Sequence, residues 1–254
     1  MTYLTMFEKL FEPITINGVT SRNRIVYPSL ALMYSYDKKI NDAQFNIAAG
    51  IKYDAYDSKA KLGPDDLNIS GVIFNNGIYG EHFSKQRTLY QSSYLKYNGF
   101  ENHALRVGYR LVREETIAMT SKLSNLSTGD ATLVDYTQTR PFFDANAKRD
   151  IVILSLQDNY AYSNKLSFLY GFNYETTSYQ DAGFEPRVSM VYQLDTNNIF
   201  KAIYSRAHRN PSWQEMFTKN NSARIGNKDL KPEKVDAFEV AYIKKFAAGS
   251  YLQT

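Results

Sequence analysis

The sequence predicts an all-β protein, a partial antiparallel transmembrane β-barrel of about ten strands with long outer loops. Three observations lead there. Segment after segment alternates apolar and polar residues with a period of two, the signature of strands that show different faces to different surroundings. Aromatic residues are abundant and spread along the chain, with 21 Tyr and 15 Phe against a single Trp, as the girdles of a membrane barrel require. The connections between segments alternate between tight and long.

The strands follow in order. Residues 25–36 alternate well enough to form a strand, with Leu30, Leu32, Tyr34 and Tyr36 on one face. Residues 44–54 set Phe45, Ile47, Ala49, Ile51 and Tyr53 against Gln44, Asn46, Lys52 and Asp54, a length that suits a tilted bilayer crossing. Leu89–Tyr97 and Ala104–Val112 pair around the turn dipeptide Asn98-Gly99. In the second partner Leu105, Val107, Tyr109 and Leu111 oppose Arg106, Gly108 and Arg110.

Ile151–Tyr162 and Lys165–Thr176 join through Ser163-Asn164. The latter strand lines up Leu166, Phe168, Tyr170, Phe172 and Tyr174 on one face. So many large apolar residues are hard to hide in a small soluble sandwich, whereas lipid covers them without a packing partner. Val188, Met190, Tyr192 and Leu194 then alternate with Arg187, Ser189, Val191 and Gln193 up to the turn Asp195–Asn198, whose residues tolerate left-handed geometry. Phe238, Val240 and Tyr242 oppose Glu239 and Ala241 in the last full strand, and Ser250–Gln253 begins another. Leu105, Val107, Tyr109, Phe168, Tyr170, Phe172, Val240 and Tyr242 are expected to point outward to lipid.

Sidedness follows from the connections. Asn98-Gly99, Ser163-Asn164 and Asp195–Asn198 are tight, whereas Leu123–Arg149 and Arg206–Asp236 are long and polar. Outer-membrane barrels have short periplasmic turns and longer outer loops, so the two long segments are placed outside. They mix cations with aromatics: Arg140, Phe142 and Phe143 in one, Arg206, Arg209, Trp213 and Lys219 in the other. These seven are the candidate ligand residues, suited to an anionic chelate. The structural alternative is that barrel loops are polar in general and carry such residues without binding anything.

Composition excludes several classes. The formal net charge is +4, with Lys and Arg scattered among Asp and Glu, so no nucleic-acid footprint is present. Absence of Cys excludes a disulfide framework and cysteine-ligated metals. No run of about 18 apolar residues predicts a membrane helix. The start MTYLTMFEKLF lacks the basic region, apolar core and small-residue cleavage site of a secretory signal.

Catalytic motifs are sparse. His82, His103 and His208 lie far apart in the chain without metal-ligand spacing, and no GxSxG, Walker A or GxGxxG motif occurs. Glu114-Glu115 are paired carboxylates in sequence, read more simply as residues near a strand end facing water. No catalytic residue, cofactor or metal is expected, and the protein is read as no enzyme.

Gly183–Phe246 resembles the barrel of the TonB-dependent outer-membrane receptors. The likeness rests on Pro186-Arg187 opening a strand, Tyr204–Pro211 (YSRAHRNP) leaving the next, Trp213–Phe217 beyond it, and Gly226–Asp236 (GNKDLKPEKVD) leading into another. It implies uptake of a scarce, bulky nutrient such as a ferric siderophore, haem or a cobalamin-like ligand across the outer membrane. It also implies a plug driven by an inner-membrane energy-transducing complex, and no plug is visible here. With about ten strands against the roughly 22 of plugged transporters, residues 44–254 look like the middle of such a barrel.

Phe7–Pro28 (FEKLFEPITINGVTSRNRIVYP) is similar to the opening of the old yellow enzyme-type NADH:flavin oxidoreductases, which bind FMN in a (β/α)₈ barrel, and the likeness runs through Tyr34–Asp37 to about Phe45. By position Pro28 and Ser29 would line the flavin. No long helical period or phosphate-binding loop follows, as that barrel would require. Residues 1–43 are therefore expected to be a flavin-oxidoreductase-like segment without independent folding, and residues 44–254 a receptor-barrel portion. An FMN-dependent oxidoreductase relative and a soluble β-sheet binding module are the competing readings.

Overall fold

The computed structural model describes residues 14–16, 19–21, 27–220, 225–246 and 251–253, with side chains from residue 31 to residue 246 inside those ranges. A short hairpin, β1 (Ile14–Ile16) and β2 (Val19–Ser21), precedes the main sheet. The rest of the segment that resembles flavin oxidoreductases, 7–13, 17–18 and 22–26, lies outside the described residues. The strands then run β3 (Tyr27–Ile40), β4 (Ala43–Lys61), β5 (Leu67–Ile69), β6 (Val72–Phe74), β7 (Tyr79–Tyr97) and β8 (His103–Ser124). After β9 (Leu133–Asp135) come β10 (Lys148–Ala161), β11 (Leu166–Thr177), β12 (Gly183–Gln193) and β13 (Asn198–Arg209). Helix α1 (Trp213–Phe217), β14 (Glu233–Lys245) and β15 (Tyr251–Gln253) complete the order.

An 11-stranded sheet, β15-β14-β13-β12-β11-β10-β8-β7-β4-β3 with β9 on β8, holds all but two small hairpins among the described residues. Each long strand pairs antiparallel with the next long strand in the chain, giving an up-and-down meander. The predicted all-β, antiparallel architecture is the one found. Strand β3 spans much of the stretch before residue 43 and pairs with β4 through the turn Asn41-Asp42.

Register places the alternation on two coherent faces. Val107 lies opposite Leu156, which lies opposite Phe172; Tyr109 lies opposite Leu154, and Val240 opposite Ala202. Directly opposed residues share a face, so these side chains make one continuous apolar surface. It is bare: Leu32 is 68%, Phe238 78% and Val240 83% exposed. A sandwich would cover such a face with a second sheet, and none covers it among the described residues. The other face carries Arg106, Arg110, Gln157, Asn173 and Arg187.

The sequence underestimated two strands. β7 begins at Tyr79 rather than near Leu89, and β8 runs on to Ser124. Since roughly 9–11 tilted residues cross a bilayer, the upper halves of these strands project beyond it. There the apolar face ends in ion pairs: Arg87 Nε to Glu115 at 2.7 Å, Arg113 Nε to Asp150 at 2.7 Å and Arg206 Nε to Asp236 at 2.9 Å. Above this level the inner face carries His82, Ser84 and Ser121, polar residues that are nonetheless buried, so no apolar–polar alternation marks the strand.

Turns at the opposite end are short and self-bonded. The Asp195 carboxylate accepts from the backbone N–H groups of Asn197 (2.8 Å) and Asn198 (2.9 Å), the Asx geometry that closes a turn locally. Between β7 and β8 the left-handed residue is Asn102, at φ 62°, rather than the Asn98-Gly99 pair. That connection has residues 98–102 in it, and the reversal of the chain falls at its end.

Candidate functional site

The buried core does not lie within the sheet. It lies beneath the long connections: Phe143, Ala147, Trp213, Met216 and Phe217 are buried, and Tyr179 packs against them. Segment 125–147 and, among the described residues, 210–220 and 225–232 dock on one another over the polar face and form a cap.

Helix α1 organises it. Ser212 is the N-cap, and a capping box forms because Glu215 N–H donates to Ser212 Oγ (3.3 Å) while the Glu215 carboxylate accepts from Ser212 N–H (2.6 Å). Trp213, Met216 and Phe217 stand at i, i+3 and i+4, so they share the face turned to the core. Trp213 and Phe217 rings lie 4.5 Å apart, and Tyr179 meets Phe217 edge-on at 5.4 Å.

Backbone bonds join the two segments. Asp144 N–H donates to the Phe217 carbonyl (2.9 Å) and Lys219 N–H to the Phe142 carbonyl (2.8 Å), around an antiparallel bridge between Phe143 and Thr218. Lys228 Nζ reaches Asp144 Oδ2 at 2.8 Å. Burial pushes the Asp144 carboxyl up, but the Lys228 ammonium and the Asn146 N–H outweigh it and leave it below its ordinary range. Gly226 follows closely on the helix end: a Cβ there would stand 2.7 Å from Met216 backbone atoms. Its N–H donates to the Thr218 carbonyl at 2.7 Å.

The cap is anchored to the wall by Arg149. Its Nε donates to Glu114 Oε2 (2.7 Å) on β8, and its Nη1 donates to the Pro211 carbonyl (2.8 Å) and faces Met216 Sδ at 3.7 Å. On the other side Phe142 stacks on His82 with ring centres 4.2 Å apart, and His82 Nδ1 is 3.1 Å from Ser121 Oγ. Burial lowers the His82 pKa, holding the ring neutral.

The seven predicted residues fall into distinct settings. Phe143 and Trp213 are in the cap core, and Phe142 is half-buried against His82. Arg209 bridges Glu215 Oε2 (3.0 Å) and Glu233 Oε1 (2.7 Å), which raises its pKa. Arg206 is held by Asp236 on the apolar face, away from the cap. Lys219 Nζ is 3.9 Å from Asp144, and Arg140 is exposed. Sequence reasoning gave Arg149 no role, read Glu114 as facing water and considered His82 only as a metal ligand. Glu114 and Glu115 point to opposite faces, where each is partly buried and bound to its own arginine, Arg149 or Arg87. They neither work as a pair nor simply face water. Among the described residues no group of three or more His, Cys, Asp or Glu is placed to hold a metal.

Comparisons bear on this arrangement. A family model described as TonB dependent receptor-like, beta-barrel matches residues 12–252. Among solved structures the fold resembles the siderophore receptor PirA from Acinetobacter baumannii, with a TM-score of 0.62 and 15% identity over 86% of this chain and 32% of that one. It also resembles a mutant of the ferric enterobactin receptor PfeA from Pseudomonas aeruginosa (TM-score 0.57, 12% identity, 86% and 33% covered). The copper transporter OprC is a further likeness (0.62, 14%, 86% and 36%). The chain thus spans about a third of the length of these structures. No curated protein matches.

Proposed function

The chain belongs to the family of TonB-dependent receptor-like β-barrels, and on that premise we propose that it forms part of an outer-membrane receptor of a Gram-negative bacterium that imports a bulky anionic metal chelate. A ferric siderophore is the cargo class, with haem and cobalamin-like ligands as the competitors. Outer-membrane lipid covers the apolar face. The energy-transducing TonB complex acts through a plug outside these residues.

The observation that carries this reading is the cap. Two long connections fold inward over the polar face and are locked there by Arg149, so the outer end of the lumen has a built floor. Of the seven ligand candidates, Arg140 and Lys219 are exposed and contact the chelate directly. Phe142, Phe143 and Trp213 hold the loop shape that presents them, Arg209 stiffens its flank through Glu215, and Arg206 ties β13 to β14 through Asp236. Residues 1–43 act as an extension of the barrel sequence and form no separate domain; the pairing of β3 with β4 across that boundary supports this.

One preparation tests the class. The purified protein should need detergent, give β-type circular dichroism and lack a flavin band at about 450 nm. A soluble yellow protein would support the flavoenzyme reading, and a soluble colourless monomer the binding module. Trp213 is the single tryptophan, so its fluorescence reports on the cap. Quenching by a ferric catecholate, but not by haem or cobalamin at equal concentration, is the expected result.

A further inference from the structure

At the end of the sheet opposite the cap, the apolar face carries an acid. We propose that Asp158 and His103 form a headgroup site for an ethanolamine phospholipid, Asp158 taking the ammonium and His103 the phosphodiester; this rests on the receptor reading above, in which lipid covers that face.

Register puts the acid where lipid contact is expected. Leu154, Leu156, Asp158 and Tyr160 follow one another on the apolar face of β10, and Asp158 lies opposite Leu105 on β8 and Tyr170 on β11. It stands near Ala161, the end of β10, and beside His103, the first residue of β8. Rings mark this level: Tyr160 and Tyr162 lie 6.2 Å apart, Tyr97 and Phe100 5.0 Å, and Phe100 and Tyr162 are exposed. Such aromatics sit at the headgroup boundary of a barrel, so the acid faces the polar edge of the bilayer.

Hydrogen bonding identifies the occupant. His103 Nδ1 is 2.6 Å from Asp158 Oδ2, and the Tyr170 hydroxyl donates to the same oxygen at 2.7 Å. A carboxylate only accepts, so Nδ1 carries its proton and the imidazole turns Nε2 away from the acid. Stacking on Tyr160, with ring centres 4.4 Å apart, fixes the plane of the half-buried ring. Both contacts to the acid fall on one oxygen. Asp158 Oδ1 has no partner although the residue is only 6% exposed, and a buried carboxylate oxygen without a donor is costly. Apart from His103, no cation among the described residues pairs with Asp158. An ammonium supplies the missing charge and N–H groups, entering as the partly exposed Tyr170 rotates aside. An ethanolamine headgroup joins that ammonium to a phosphodiester, which suits the outward imidazole nitrogen. Choline lacks the N–H donors, and a glycerol headgroup lacks the cation.

The test is native mass spectrometry of the full chain in detergent, equilibrated with equimolar palmitoyl-oleoyl phosphatidylethanolamine, phosphatidylcholine and phosphatidylglycerol. Wild type should retain one phosphatidylethanolamine roughly tenfold over either competitor, the discrimination expected of a charge-assisted hydrogen bond. Asp158→Asn, nearly the same shape without the charge, should abolish that preference. Asp158→Leu, which matches its neighbours on the apolar face, carries the same expectation if the asparagine variant folds poorly. His103→Phe keeps a ring on Tyr160 and should weaken retention of phosphatidylethanolamine. Equal retention of the three lipids by wild type would overturn the inference. So would a lower melting temperature in Asp158→Asn with unchanged lipid ratios, the result for a cluster that only braces the strands. A dimer lost in Asp158→Asn would overturn it as well, making a second copy the occupant. A protein that needs no detergent fails the receptor reading itself, whereas one that needs it but ignores the headgroup fails only this inference.

Discussion

Arg149 and Pro211, 62 positions apart in the chain, are joined by a hydrogen bond of 2.8 Å from the guanidinium to the backbone carbonyl. The same guanidinium holds Glu114 on the neighbouring strand. One buried side chain thus ties the barrel wall to the loop that lies over it.

Arg149→Ala is expected to cost about 3 kcal/mol, because removing one partner of a buried ion pair leaves the other uncompensated. The loss should be local. Limited proteolysis should reveal new cleavage within 210–232, while amides in the middle of β8 and β10 keep their slow exchange. A cleavage pattern identical to wild type would contradict this role.

Lys228→Ala should cost much less, about 0.5 kcal/mol, because its side chain is 44% exposed and its charge is screened by water. Thermal denaturation of the two variants side by side checks the ranking. Equal losses would mean that the cap is held by surface charge rather than by its buried anchor.

The cap should loosen in acid. The Arg209 guanidinium and the Ser212 N–H hold Glu215 at about 2, below its ordinary 4.5. A depressed carboxylate pKa gives stability that is fully present above about pH 4.5 and is lost as pH falls towards 2. His82 adds an earlier step: burial holds its pKa below 6.5, so protonation is harder in the folded cap, and stability begins to fall once pH drops below 6.5. Trp213 emission against pH should show both limbs. Glu215→Gln should remove the lower and His82→Phe the upper.

Lipid contact is tested by charge placement. Val107→Lys on the apolar face should destabilise the protein in vesicles by about 2–4 kcal/mol, the range for lysine near the bilayer midplane. Ser167→Lys, on the polar face, should change denaturant unfolding by less than about 0.5 kcal/mol. Similar effects at the two positions would show that the assignment of faces is wrong.

The sequence by itself determined the strand class and the two faces. Val107, Phe168 and Val240 sit among alternating residues because lipid and a wet interior impose opposite demands on successive side chains, and that demand is written locally. Where it stops, the signal stops: in the upper parts of β7 and β8, from Tyr79 and to Ser124, the covered face carries polar residues, His82, Ser84 and Ser121, buried beneath the long connections, and there is no apolar period to read.

Tertiary structure decided everything that depends on register and docking. Phe143 and Trp213 look like ligand aromatics in a polar loop, yet they are buried, because two segments distant in sequence fold onto each other and exclude water between them. Arg149 reads as the end of a loop until β8 places Glu114 beside it. Arg106 and Arg187 fall in one cross-strand row, with Gln157 and Gly171 between them, only after β8, β10, β11 and β12 have paired. Pairing energy is spread along each ladder, so no single residue announces which distant side chain it will face.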